Sequence, residues 1–165
     1  MSKAFTFDRY FKEFLLLWEG TVYENVPGDP GGPTKLGIDQ RSHPTVNIRA
    51  LTEDKAKEIY RSDYWRAIAG DQLQTRTAWA VMDCAVNCGT KQAVRWLQRA
   101  LDVPDDGRLG PVTLSAAAAS PDGPVAMSVL RQRGDHYLAL GKRPQFRKFQ
   151  KGWMNRNESL RKALT

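Results

Sequence analysis

The stretch TRTAWAVMDCAVNC, residues 75–88, decides the fold, because nearly all of its side chains are apolar over about four helical turns. A surface helix has a polar face, whereas a helix that is apolar on all sides is buried. Gly89 follows directly, and glycine commonly ends a helix. We therefore predict a buried central helix here. Its apolar side chains include Ala78, Trp79, Val81, Met82, Ala85 and Val86.

Two further helices are predicted before this central helix. Aromatic and aliphatic side chains recur at helical spacing over residues 7–18, which predicts a helix that buries one face and carries Glu19 at its end. Gly20 is expected to stop it. Thr52 is the predicted N-cap of a second helix that runs towards Trp65, because its hydroxyl can accept a hydrogen bond from the first turn.

The segment EGTVYENVPGDPGGPTKLGI, residues 19–38, lies between these helices and has no helical period. Four glycines and three prolines precede Thr34, a composition that favours a folded loop. A short hairpin near residues 34–38 is the only plausible β element. The sequence thus predicts a mainly α fold with at most a small β-hairpin.

The chain after Gly89 is also predicted to be helical. The expected elements are a helix at 90–101 capped by Thr90, a turn at 105–107, a short helix opened by Pro111, and helices at 125–140 and 145–160. We expect a single compact unit of two lobes, formed by residues 1–89 and 90–165.

The positive charge of the chain is concentrated in its second half. The formal net charge is +7, yet residues 1–90 hold 11 Lys or Arg against 12 Asp or Glu, whereas residues 91–165 hold 14 against 6. A basic surface of this kind suits nucleic acid, an anionic membrane or an acidic polymer, and charge alone does not choose among them.

The cysteines and histidines give no metal-binding pattern. Cys84 and Cys88 lie four residues apart on the central helix, without a second pair that would complete a zinc site. We interpret them as partly buried thiols, with a strained disulfide or a metal role as the alternatives. His43 and His136 lack ligand spacing, so no metal and no cofactor is expected.

The sequence shows no membrane span and no signal peptide. No run approaches the roughly 20 apolar residues that a span needs, and the N-terminus lacks the order of charges and apolar residues found in a secretory signal. We expect synthesis in the cytoplasm.

Glu19 is the candidate general acid. It ends an apolar helix beside Trp18, and a setting that is partly shielded from water favours the protonated form of a carboxyl group. Cleavage of a glycosidic bond needs a second group across the sugar, for which Asp29 and Thr34 have suitable chemistry. The alternative is an ordinary surface loop, with Asp29 in a turn before Pro30 and Glu19 solvated.

The loop residues resemble the signature of glycoside hydrolase family 108, which comprises phage-type muramidases of the lysozyme superfamily. The matching segments are EG-x-x-Y at 19–23, DPGG at 29–32, Thr34, and GI at 37–38. They also resemble the Glu, Asp and Thr trio of phage T4-type lysozymes, in the same order and at nearly the same spacing. Thr21 and Val26 depart from the family pattern.

The second half of the chain is similar to the peptidoglycan-binding module that accompanies this hydrolase domain. The segments that carry the similarity are WLQRAL at 96–101, DDG-x-x-GP-x-T at 105–113 and F-x-x-GW-x-NR at 149–156. The central helix, with DCAVNCG at 83–89, resembles the family's own central helix. The resemblance covers about residues 7–160 and implies a lysozyme-like α+β fold.

The resemblance implies hydrolysis of the β-1,4 bond between N-acetylmuramic acid and N-acetylglucosamine. Glu19 is then the acid, while Asp29 and Thr34 hold the attacking water and give inversion; direct attack by Asp29, with retention, stays open. Further residues are candidates for sugar contact, although core packing is an alternative for the aromatic residues and a buried structural hydrogen bond is an alternative for Asp83 and Asn87. They are Tyr23, Asn25, Trp65, Asp83 and Asn87.

The resemblance implies that the protein binds peptidoglycan, is a monomer and does not bind nucleic acid. It is expected to reach the cell wall, in the periplasm, through a holin or an export route, for phage lysis or for wall opening in secretion. Two other classes remain as alternatives, a catalytically inactive peptidoglycan-binding module and a nucleic-acid-binding protein that uses the basic helices. No recognisable nucleic-acid reader motif supports the last.

Overall fold

The computed structural model describes residues 5–27 and 30–165. The chain divides into two compact units, one formed by Phe7–Asp63 and the other by Tyr64–Thr165 together with residues 5 and 6. The predicted mainly helical fold with one small hairpin is confirmed.

The first unit begins with the predicted aromatic helix. It consists of α1 (Phe7–Tyr10), a π-helical segment (Phe11–Leu15) and α2 (Leu16–Glu19). Phe7, Tyr10, Phe11, Phe14 and Leu15 are buried along one face, which explains why this segment folds as a helix, whereas Leu17 and Trp18 near its end are exposed. Gly20 ends the helix, as predicted, with a φ of 73° that a residue with a Cβ rarely adopts. The helix therefore delivers Glu19 at the point where the chain turns away.

The predicted hairpin comprises β1 (Thr34–Lys35) and β2 (Ile38–Asp39), which pair antiparallel with Thr34 opposite Asp39. Leu36 and Gly37 form its two-residue turn, and both have positive φ, 55° and 73°. A two-residue turn with positive φ at both positions matches the twist of a hairpin, which is why a glycine occurs there.

The helix after the hairpin starts as the sequence predicts. α3 (Glu53–Tyr60) is capped by Thr52, whose Oγ1 accepts from the Lys55 N–H at 3.3 Å. A π-helical segment, Arg61–Trp65, follows it. The buried side chains of α3 are Ala56, Ile59 and Tyr60.

The second unit is built around α4 (Thr75–Cys88), in which every residue from Thr77 to Ala85 is buried. It packs against α5 (Thr90–Ala100) and α7 (Asp122–Gly141), and α7 in turn packs against α8 (Arg147–Leu164). α6 (Pro111–Ala119) has Pro111 at its first position, as predicted. Short 3-10 segments lie at Gly70–Gln72 and Pro144–Phe146. The central, buried place of α4 is confirmed.

One predicted helix start is wrong. Thr90 does not cap α5, because it is the first helical residue and Gly89 occupies the cap position with a φ of 84°. A single glycine separates α4 from α5, so the new helix begins without a side chain that could cap it.

The two cysteines are free, so the disulfide alternative is wrong. Cys84 is buried, and that burial raises the pKa of its thiol to about 12. Cys88 is partly exposed and its Sγ donates to the Tyr137 hydroxyl at 3.6 Å. Thiols that stay protonated are poor nucleophiles, which fits a structural role.

Within 5–27 and 30–165, none of the helices combines the length and the apolar composition that crossing a bilayer requires.

Candidate active site

Glu19 lies against the tip of the hairpin. A Cβ placed on Gly37 would come within 2.8 Å of both Cγ and Oε2 of Glu19, and it would also collide with the Tyr60 hydroxyl. The Glu19 side chain therefore passes directly over the glycine backbone and is partly shielded from water. Only a residue without a side chain leaves room for the carboxyl group at this place.

Tyr60 joins α3 to the same turn. Its side chain is buried, and its hydroxyl donates to the Leu36 carbonyl at 3.1 Å. Its ring also packs against Phe11 of the first helix, with 6.1 Å between ring centroids. The turn beneath Glu19 is thus held by a tyrosine that both neighbouring helices support, so the position of the carboxyl group is defined by packed elements.

Thr34 is held from both sides by backbone pairing. Its N–H and C=O each pair with Glu24 at 2.8 Å, and β1 pairs it with Asp39. Its Oγ1 donates to the Gly32 carbonyl at 3.2 Å. Because a hydroxyl has one hydrogen and two lone pairs, Thr34 Oγ1 can still accept a hydrogen bond from a water molecule.

The predicted role of Asp29 falls outside the described part of the chain, which omits residues 28 and 29. Its part in positioning water stays a prediction.

Tyr23 and Asn25 lie on the loop between Glu19 and Thr34. Tyr23 is partly exposed, and the Arg49 guanidinium covers its ring with 4.7 Å between Cζ and the ring centroid. Asn25 is exposed. Both side chains are accessible to a large ligand, and their contact with sugar stays a prediction.

A depression of about 340 Å³ opens beside the hairpin. Leu36 of the turn forms part of its wall, so the depression is next to the segment over which Glu19 lies. Thr21 and Lys35 were not predicted to be functional, although each lies close in sequence to a predicted site residue, Thr21 to Glu19 and Lys35 to Thr34. Its lining residues are Thr21, Lys35, Leu36, Ala50, Leu51, Thr52 and Glu53.

Trp65 and Asn87, two predicted sugar contacts, belong to the second unit. Trp65 is 3% exposed, its Nε1 donates to Asp71 at 2.9 Å, and its ring covers Gly70. That burial favours the core-packing alternative for Trp65. Asn87 is exposed and its Nδ2 donates to the Asp83 carbonyl at 2.8 Å, which leaves its side-chain oxygen available.

Asp83, the remaining predicted contact, is completely buried between two arginines. Its Oδ2 accepts from Arg133 Nη1 at 2.6 Å and its Oδ1 from Arg156 Nη2 at 2.7 Å. Burial alone would raise the pKa of Asp83, but the charges of Arg156 and Arg133 outweigh it and lower the pKa to about 2. This arrangement favours the structural alternative, in which Asp83 holds α4, α7 and α8 together.

Gln98, whose side chain is buried, organises a second polar cluster that was not predicted from the sequence. Its Nε2, which has two hydrogens, lies within hydrogen-bond distance of three acceptors, Asp106 Oδ1, the Arg108 carbonyl and Thr113 Oγ1. Its Oε1 accepts from the Gly107 N–H at 2.8 Å. A glutamine on the apolar face of α5 is the sequence feature that could have predicted this cluster.

Two family models match the chain, one after the other. The family described as glycosyl hydrolase 108 matches residues 12–89, and the family described as predicted peptidoglycan domain matches residues 92–158. The first match extends beyond the structural division after Asp63 to the end of α4. The predicted resemblance to the hydrolase family is thereby confirmed.

A solved structure, "Structure of Brucella abortus SagA", is also similar to the chain. Its sequence is 30% identical, the match covers 95% of this chain and 90% of that chain, and the TM-score is 0.76. A search among curated proteins finds no match. In this chain the hydrolase domain is followed by a predicted peptidoglycan domain. The chain therefore belongs to the glycosyl hydrolase 108 family.

Proposed function

We propose that this protein is an N-acetylmuramidase that cleaves the β-1,4 bond between N-acetylmuramic acid and N-acetylglucosamine in peptidoglycan. Membership of a glycosyl hydrolase family and the adjoining predicted peptidoglycan domain support the substrate class. The bond specificity and the roles of individual residues are part of the proposal.

Glu19 is the proposed general acid, which donates a proton to the oxygen of the departing sugar. Thr34 accepts a hydrogen bond from the attacking water, which leaves a lone pair of that water free to attack the sugar carbon. Asp29 is proposed to take the proton of this water. Attack from the face opposite Glu19 inverts the configuration at the anomeric carbon.

The observation that carries this proposal is the contact between Glu19 and Gly37. A carboxyl group that only solubilised the surface would need no glycine beneath it, whereas here the turn backbone, the Tyr60 hydroxyl and the acid converge on one point. The depression that begins at Leu36 supplies open space beside this point. A positioned acid next to an open depression is the arrangement that glycoside cleavage requires.

Mass spectrometry of the fragments released from purified peptidoglycan tests the proposal. The wild type is expected to release fragments with reducing-end N-acetylmuramic acid, and Glu19→Gln is expected to release at least about 100-fold less, because general acid catalysis contributes about that factor or more. Glu58→Gln is the matched control, since Glu58 is exposed and forms an ion pair with the exposed Lys55 on the surface of α3.

Each outcome separates the possibilities. Equal activity of the wild type and Glu19→Gln would show that another carboxyl group is the acid. Fragments with reducing-end N-acetylglucosamine would contradict the proposed bond specificity but would still show that the protein is a glycosidase.

A non-catalytic wall-binding protein is the second candidate, favoured by the predicted peptidoglycan domain and by the positive charge of residues 91–165. It predicts that the wild type sediments with intact peptidoglycan without releasing any fragment. Release of fragments by the wild type excludes this candidate.

A further inference from the structure

Residues 142–155 form a surface that is strongly basic and unusually open. None of these residues is buried, and no Asp or Glu occurs between Asp135 and Glu158. We call residues 142–155 the basic–aromatic surface. Its exposed cations are Lys142, Arg143, Arg147, Lys148 and Lys151.

A stack of aromatic rings connects the core to the same surface. Tyr137 is buried at 3% exposure, Trp153 stacks on it at 5.3 Å between centroids, and Phe149 stacks on Trp153 at 5.7 Å. Phe149 is nevertheless 45% exposed. A large apolar side chain is therefore fixed in place at the surface by rings that reach into the core.

The two kinds of side chain occupy different faces of α8. Arg147 and Lys151 are four residues apart, and so are Phe149 and Trp153, so that each pair shares a face. A helix with cations on one face and aromatic side chains on another suits the boundary between lipid headgroups and acyl chains.

We propose that the basic–aromatic surface binds the surface of an anionic phospholipid bilayer. The five cations match the negative charge of the lipid headgroups, and each Lys or Arg near such a surface strengthens binding. Phe149, which is 45% exposed, enters the apolar boundary. Binding of this kind lies in the plane of the membrane and needs no helix that crosses it.

The covering of the Phe149 ring argues against a sugar or a nucleobase as the occupant. One face of the ring stacks on Trp153, and the Lys148 ammonium sits over the ring at 4.8 Å from its centroid. Stacking on a base needs a free ring face. Phe149, which is 45% exposed, suits insertion between lipids instead.

Sedimentation with vesicles tests the proposal without any cell wall, so that its failure and the failure of the muramidase proposal are distinguishable. We expect the wild type to bind vesicles of phosphatidylglycerol and phosphatidylethanolamine at about 0.15 M salt, and to bind phosphatidylcholine vesicles at least about tenfold more weakly. Lys148→Gln with Lys151→Gln should weaken binding to the anionic vesicles by about 25-fold, at about fivefold per cation.

Lys91→Gln with Lys162→Gln is the charge-matched control, since it removes two exposed lysines outside the surface. Lys162 is eleven residues beyond Lys151 on α8, about 16 Å along the helix and outside the screening distance of about 8 Å at this salt concentration. The control is expected to bind within about twofold of the wild type.

Phe149→Ser tests the apolar contribution and should weaken binding by about tenfold, with an unchanged circular dichroism spectrum. No binding of the wild type to anionic vesicles would overturn the proposal, as would an equal loss in the lysine control. Loss of binding to purified peptidoglycan or to DNA in the Lys148 and Lys151 variant, without any vesicle binding by the wild type, would assign the surface to that polymer instead.

Discussion

Replacing Asp83 by Asn should destabilise the second unit more than any change of one exposed charge. The carboxylate is 0% exposed and accepts hydrogen bonds from both Arg133 and Arg156. Asparagine keeps the shape of the side chain and removes its charge. Two buried arginines would then face a neutral amide.

The structure gives the magnitude of this loss in two ways. Removing one partner of a buried ion pair costs about 3–5 kcal/mol, because the remaining charge stays buried without compensation. The arginines lower the pKa of Asp83 from 3.8 to about 2, which corresponds to about 2–3 kcal/mol of stabilisation when the carboxylate is charged. We expect a loss of about 3 kcal/mol, a large share of the 5–15 kcal/mol typical of folded proteins.

Urea unfolding followed by circular dichroism at pH 7 measures the loss. Asp135→Asn is the matched control, since Asp135 is exposed on α7 and its 3.6 Å pair with Arg131 contributes at most about 1 kcal/mol. A loss below about 1 kcal/mol for Asp83→Asn would refute the reasoning.

The pH dependence of the same variant supplies a second check. The folded-state pKa of Asp83 is lowered, so its contribution is complete above the unfolded-state value near 3.8 and is lost as the pH falls through about 2. The stability difference between wild type and Asp83→Asn should be constant from about pH 7 to pH 5 and should shrink below about pH 4. A difference that grows on acidification would contradict the assignment.

Two further changes test the turn beneath the acid and the second buried polar cluster. Gly37→Ala should lower peptidoglycan hydrolysis by at least about tenfold, because the new Cβ would displace the Glu19 carboxyl. Gly89→Ala is the control and should keep the activity, because Gly89 has a similar positive φ but open space around it. Equal effects of the two substitutions would refute the role of the contact between Glu19 and Gly37. Gln98→Ala should cost about 2–4 kcal/mol in urea unfolding, because it removes the hydrogen bonds of a buried side chain to the 106–113 segment. Gln145→Ala, at an exposed position, should cost less than about 0.5 kcal/mol, and similar losses in the two variants would contradict the importance of the Gln98 cluster.

The helices and the hairpin could be predicted because their signals are local. The Thr52 cap involves residues three apart, Pro111 suits the first position of α6 by its fixed φ, and the apolar composition of α4 required burial whatever packed around it. The prediction that Thr90 caps α5 was wrong, because a threonine can also be the first helical residue when a glycine before it takes the cap position.

Part of the candidate site could also be predicted from the sequence. Glu19 at a helix end and Thr34 at the hairpin follow from where the elements stop and start, and the resemblance to a known family gave them roles. Periodicity could not predict that Trp65 lies in the core, because an apolar face looks the same whether a ligand or another helix covers it.

The sequence by itself determined the mainly helical fold, the family and the residue that carries the candidate acid. Only the tertiary structure decided that Glu19 rests on Gly37 and that Asp83 is enclosed by Arg133 and Arg156, which lie 50 and 73 residues further along the chain. The physical reason is that backbone propensity and apolar period act over a few residues. The partner of a buried charge is set by how distant helices pack.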